Sequence, residues 1–179
     1  MTRPDVRHRG AARYLRGAVG VAGELLVTLG VVLGLFVGWQ LVWTDVVADG
    51  EQSAVVSRLA AEFSEPEGAD PADLGEAVAI VRIPRFGRDY ARPLYEGTDR
   101  ATLQRGIGHY PGTPGPGEIG NFAIAGHRTT YGKPFNRIAE LRDSDLVIVE
   151  TREAYFAYQV FDRAVVLPTQ TEVVLPVPG

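Results

Sequence analysis

Acid–base chemistry near neutral pH falls most readily to histidine, and this chain has three: His8, His109 and His127. His8 lies in an arginine-rich amino-terminal arm and is expected to be inert. His109 sits in Gly108-His-Tyr-Pro-Gly-Thr113, and His127 in Ala125-Gly-His-Arg-Thr-Thr-Tyr-Gly132. A histidine at a strand end can act as a catalyst or can be a hydrogen-bonded structural residue, and spacing alone leaves both open. The pair at 109 and 127 has no carboxylate cluster nearby, which makes it a weak metal set, and no metal or other cofactor is expected. There is no cysteine, so disulfides, thiolate ligands, redox switching and cysteine nucleophiles are all outside the reach of these residues. No G-x-S-x-G serine motif is present. The glycine-rich stretch Gly112–Gly120 is a poor phosphate cradle, because Pro114 and Pro116 lack N–H donors and a strand, not a helix, is predicted after it.

The elements that must position these histidines lie in residues 77–179. AVAIVRIP (77–84) is a β-rich run, and Leu94-Tyr95 belongs to another extended piece. Thr98 is a plausible N-cap for a brief helix over 99–106. GNFAIAGH (120–127) alternates Phe122 and Ile124 against Ala123 and Ala125, which predicts a strand. Phe135, Ile138 and Leu141 have helical spacing after Pro134. Residues 146–151 and 154–167 read as strands, the second long and rich in Tyr, Phe and Val. About six short strands with two small helices make a mainly β domain, a barrel or sandwich. The chain closes on Leu175-Pro-Val-Pro-Gly179, a turn-forming sequence with no element after it, so the body is expected to be an incomplete barrel with unpaired edges.

The net charge of −4 is too mild to argue for nucleic acid as a partner. It hides an uneven distribution. Residues 1–24, expected to be a cytoplasmic basic arm, carry five arginines against Asp5 and Glu24, whereas residues 44–76 carry nine acids against Arg58. Between them, residues 25–43 are free of charge and hold 12 Leu, Val or Phe. As a helix this run spans about 28 Å, and its apolar residues contribute on the order of −5 kcal/mol towards insertion. A buried core helix would show a polar face, and none appears. A cleaved signal peptide would have a shorter apolar core followed by a small-x-small site, which is missing here. The reading is a single-pass anchor in the cell membrane, with the N-terminus cytoplasmic by the positive-inside rule and the C-terminal domain extracellular. Trp39 and Trp43 fall near its outer end. Gly30, Gly34 and Gly38 share one face and permit a homodimer, although glycine is also simply common in such spans. Val55, Val56, Leu59 and Phe63 predict a short amphipathic helix over 51–63, and the Pro- and Gly-punctuated acidic run to Glu76 reads as a linker.

The segment GIGHYPGTPGPGEIGNFAIAGHRTTYGKPF (106–135) closely resembles class E sortases, membrane-anchored cysteine transpeptidases of Gram-positive bacteria. The resemblance extends to the arginine-rich head, the span running into WTDV, AVAIVRIP and RPLYEGT. It implies an incomplete sortase-like β-barrel preceded by a transmembrane helix, and it identifies His127 with the family's catalytic histidine. In such enzymes a cysteine thiolate attacks the threonine carbonyl of an LAxTG-like sorting signal. The Thr–Gly bond is cut, and an amine of the cell wall resolves the thioester. Histidine can protonate the leaving amine, and an arginine stabilises the oxyanion.

The family's cysteine ends a TLTTC-like strand just beyond the point that matches Gly179, and its arginine follows on the next strand. Neither segment is in this sequence. The implied partners are sorting-signal peptides, a cell-wall amine acceptor and the lipid bilayer. The chain is therefore expected to be a C-terminally truncated sortase without transpeptidase activity. Arg128 should not stand in for the missing arginine, since neighbours on a strand face opposite ways. Tyr110 and Tyr131 flank the histidines and are candidates for shaping a peptide groove, or for simple packing. Two rivals remain: a non-catalytic sortase-like binding or assembly protein at the membrane, and a metal-dependent hydrolase using His109 and His127.

Overall fold

The computed structural model describes residues 7–64 and 77–175. The predicted linker therefore lies largely outside the described residues, as does the Pro-Val-Pro-Gly end. The chain divides into two compact units, 1–43 and 44–179.

One helix, α1 (Arg7–Ser64), begins in the first unit and ends in the second. Sequence periodicity predicts two shorter helices, but residues 44–50 contain no proline, and the isolated Gly50 costs only ~1 kcal/mol relative to alanine. The helix therefore continues without a break. From Gly17 onwards it is the one described helix long and apolar enough to cross a membrane. Within the first unit Trp39 and Trp43 stack with centroids 5.9 Å apart, and Gly30, Gly34 and Gly38 face open space.

The second unit is built on a six-stranded sheet in the order β4-β3-β2-β1-β5-β6, curled as a half-barrel. Its strands are β1 (Ala77–Arg82), β2 (Ala91–Glu96), β3 (Ile107–His109), β4 (Ile124–Ala125), β5 (Leu146–Glu150) and β6 (Tyr155–Gln159). All pairs are antiparallel except β2–β3, which are parallel and joined through α2 (Arg100–Arg105). Ala79, Val81 and Ile83 alternate inward from β1 and its end to meet Leu94, Ile107, Leu141 and Val149 in the core. A bulge between Ala77 and Ala79 leaves Val78 half exposed. Pro84 sets φ for the 3-10 turn Pro84–Phe86, which drops Phe86 into the same core.

Several predicted elements change at their ends. The N-cap of α2 is Asp99, not Thr98: its carboxylate accepts from Ala101 N (2.9 Å) and Thr102 N (3.2 Å), and the Thr102 hydroxyl bond (2.5 Å), with these backbone bonds, holds its pKa below the ordinary value. The strand predicted over 120–127 shrinks to Ile124–Ala125. Its partner β3 is only three residues long, and Pro111 and Gly112 turn the chain away after Tyr110. The strand predicted over 154–167 stops at Gln159, because β5 begins at Leu146 and offers no rung beyond it. Val160 still bonds Asp145 and Ser144 through the backbone, and from Phe161 the chain is exposed. The helical spacing after Pro134 becomes a single 3-10 turn, Ile138–Glu140.

Candidate functional site

The two body histidines have opposite environments. His109, at the end of β3, is buried, and each ring nitrogen is engaged. Nδ1 lies 2.8 Å from Glu96 Oε2, on the paired position of β2. Nε2 faces the Pro114 carbonyl at 3.1 Å and Thr113 Oγ1 at 2.9 Å. The Thr113 hydroxyl spends its own proton on the Tyr110 carbonyl (2.8 Å), so it accepts from His109. The Phe122 ring packs 5.1 Å away. His109 is thus a clasp between β2 and the loop that follows β3.

His127 follows the short β4 and is half-buried. Its Nδ1 lies 3.4 Å from Thr130 Oγ1, a loose contact, and Nε2 has no hydrogen-bond partner among the described residues. The Tyr131 ring sits 5.0 Å from the imidazole, tilted by 53°. The loop is closed by Phe135 N donating to the His127 carbonyl (3.0 Å) and Lys133 N to Thr130 O (3.0 Å). Glycine is needed at 126, where a Cβ would meet the Phe135 ring at 2.9 Å. Behind the loop, the Tyr90 hydroxyl donates to the carbonyl of the buried Pro134. Burial pushes the Tyr90 pKa up to about 12.

Tyr131, Gly132 and Lys133 all have positive φ, at 54°, 73° and 45°. Two non-glycine residues in the left-handed region persist only if their surroundings hold them there. The holders come from α1 and α2: Gln104 Nε2 donates to the Tyr131 hydroxyl (3.0 Å), and Gln52 Nε2 donates to the Tyr131 carbonyl (3.0 Å). Motif reading along 106–135 does not find Asp45, Asp49 or Gln52. Their spacing on one helical face was the available signal.

Tyr131 therefore lies beside His127. Tyr110 is placed by its backbone, whose N–H donates to Ala123 O (2.9 Å), and among the described residues it forms no ring–ring contact with His127. Arg128 lies in the loop after β4, not on a strand as predicted. It is exposed and lines a cleft of about 660 Å³ with Leu141, Val160, Phe161 and Val165. Among the described residues no three His, Asp or Glu side chains converge as a metal set.

This arrangement has relatives. The Sortase domain family matches residues 81–179. Sortase SrtE1 of Streptomyces coelicolor is 34% identical over 193 residues, an alignment covering 99% of this chain and 53% of that protein. The chain thus spans about half the length of that curated relative. Sortase E from Streptomyces avermitilis superposes with a TM-score of 0.55 at 42% identity, over 58% of this chain and 69% of that one. A Clostridium perfringens sortase D5 transpeptidase superposes with a TM-score of 0.61 at 26% identity, over 72% and 82% of the two chains. A half-barrel with a partly exposed histidine at the end of β4, matched by the family across the whole of that sheet beyond β1's first residues, leads to one assignment: the chain belongs to the sortase family, and it is similar to the class E members.

Proposed function

We propose that this protein serves sortase transpeptidation of surface proteins, with His127 as the acid–base group. The observation that carries this reading is the contrast between the two histidines. His109 has both nitrogens committed to neighbours, whereas His127 keeps Nε2 free in a half-exposed position. A free imidazole nitrogen can hold the proton that a leaving glycine amine needs when an LAxTG-like signal is cut at Thr–Gly. Tyr131, tilted against the ring, would restrict its orientation, and Tyr110 on the neighbouring loop would line the peptide's path. The membrane-crossing helix with its basic head would place the N-terminus in the cytoplasm and the body outside, facing sorting signals and the cell-wall amine.

The 179 residues contain no cysteine, so by themselves they form no thioester and are proposed to be inactive. The test is mass spectrometry of an LAxTG peptide mixed with an amine acceptor. The chain alone should give no Thr-linked product. Expression together with whatever codons follow Gly179 in the genome should give a product that disappears with His127→Ala. Product from the 179-residue chain would refute the inactivity, and product from the extended His127→Ala protein would refute the role of His127.

The absent cysteine also favours a second reading, a non-catalytic sortase-like protein that binds sorting signals or assembles with a partner enzyme. Cooperative unfolding of the chain together with saturable LAxTG peptide binding would support it. A homodimer through Gly30, Gly34 and Gly38 is proposed for the helix, and crosslinking in membranes that yields only monomers would dismiss it.

A further inference from the structure

Within the second unit, two side chains of α1 grip the loop beyond His127 directly, and a third reaches it through Arg92. Asp45 pairs with Lys133 (2.7 Å). Asp49 pairs with Arg92 (2.7 Å), and Arg92 Nη2 reaches the Gly132 carbonyl at 3.4 Å. Gln52 donates to the Tyr131 carbonyl. Positions 45, 49 and 52 share one helical face, and residues 131–133 are the three consecutive left-handed positions. Gln52 is 1% exposed, and its Oε1 has no partner among the described residues. A buried amide with its oxygen unsatisfied is a poor choice for packing alone, so the Nε2 bond accounts for the residue. A Cβ on Gly132 would come within 2.8 Å of the Gln52 amide, which shows how closely helix and loop approach.

We infer that the Asp45–Asp49–Gln52 face is a clamp that positions His127, with Gln52 as its central positioning residue. The clamp acts through the loop. Tyr131 carries the ring beside the imidazole, Thr130 carries the hydroxyl near Nδ1, and Phe135 holds the His127 carbonyl. Without the clamp, Tyr131 and Lys133 relax from positive φ and the imidazole loses its fixed orientation. This inference rests on the reading of His127 as the acid–base group, but its test involves no transpeptidation.

The experiment uses the full 179-residue chain in lipid nanodiscs, with hydrogen exchange read over 130–136 and histidine-selective ¹³C labelling to follow the ring signals. Gln52→Met keeps the volume and removes the donor. Exchange in the loop should rise about fivefold, the effect of losing one hydrogen bond. The His127 signal should move or broaden while the His109 signal, which reports that the body is folded, stays in place. Glu62→Gln, which weakens the Glu62–Arg152 pair elsewhere on the same helix, should leave the loop and the His127 signal unchanged. Should Gln52→Met displace the His109 signal, Asp45→Asn tests the clamp at its half-buried ion pair instead, with about a twofold rise expected. An unchanged loop and His127 signal in the folded variant would overturn the inference. An equal response to Glu62→Gln would do so too, by showing that general docking of the helix is responsible.

Discussion

Gly108 packs directly against the Gly97 carbonyl, and replacing it with alanine tests how the β2–β3 pairing is built. A Cβ there would sit 2.2 Å from the Gly97 carbonyl oxygen and 3.0 Å from Leu103 Cδ2. Backbone, unlike the end of a flexible side chain, cannot swing aside, so the 97–98 turn would have to retreat by about 1 Å to restore ordinary van der Waals contact. That retreat breaks the bond from Gly97 N to the His109 carbonyl (3.0 Å) and drags Glu96 away from His109 Nδ1. Overpacking of this kind costs ~2 kcal/mol and the lost backbone bond ~1 kcal/mol more. For a domain of this size a loss of ~3 kcal/mol corresponds to a fall in Tm of about 15 °C. Near-UV circular dichroism of the chain in detergent micelles reads the transition. Gly112→Ala is the control: φ is +81° but no atom lies within 4 Å of the new methyl, so only the backbone penalty of ~1 kcal/mol applies, or about 5 °C. A Gly108→Ala melt within 2 °C of the parent, or one no lower than Gly112→Ala, would refute the steric argument.

Tyr90 supplies a pH signature. Its folded pKa is raised to about 12 against an ordinary 10.0, so its stabilisation is complete below pH 10 and is lost as pH rises from 10 through 12. The full loss is ~2 kcal/mol after allowing for partial exposure, and urea titrations at pH 9 and 11.5 should show a shallower slope in Tyr90→Phe than in the parent, the remainder coming from Tyr95 and Tyr155, whose pKa values burial and the Glu150 bond also raise. Asp99→Ala removes the α2 cap and should lower stability by ~1 kcal/mol; an unchanged urea midpoint would speak against the cap. Protease added outside sealed inverted membrane vesicles should trim the arginine-rich arm and spare the body. The opposite pattern would reverse the proposed orientation.

What could be read from the sequence was set by how local the cause is. AVAIVRIP and the run over 146–151 announce β1 and β5 because a compact β-branched apolar run is complete within each segment. The His127 motif and its neighbour Tyr131 are likewise contained in eight residues. By contrast β3 has three residues between Gly106 and Tyr110, too few for a period, and only its rungs with Leu94 and Ala125 define it. The 154–167 run looks like one strand, yet its length is cut by where β5 begins, which is a property of the partner. The clamp on the histidine loop is the extreme case. Gln52 and Tyr131 are 79 positions apart, and nothing in either segment names the other. Spacing leaves His109 open between catalyst and structural residue, and Glu96, on the adjacent strand, settles it by engaging Nδ1.

The pairing of β1 with β5 also sets a timetable for synthesis. β1 and β2 can zip together as soon as Glu96 has emerged, but the other side of β1 waits for Val149 and Glu150, about 54 residues later. At 5–20 residues per second that interval lasts roughly 3–11 s. Throughout it, one edge of a strand destined for the centre of the sheet is bare, with Ile80 and Val81 on its two faces, both fully buried in the finished fold. A nascent chain of this kind invites holding by a chaperone or by the translocation machinery until β5 arrives. The sheet order thus leaves the β1–β5 seam open well after β1 and β2 have paired, and β6 can join only once β5 is in place.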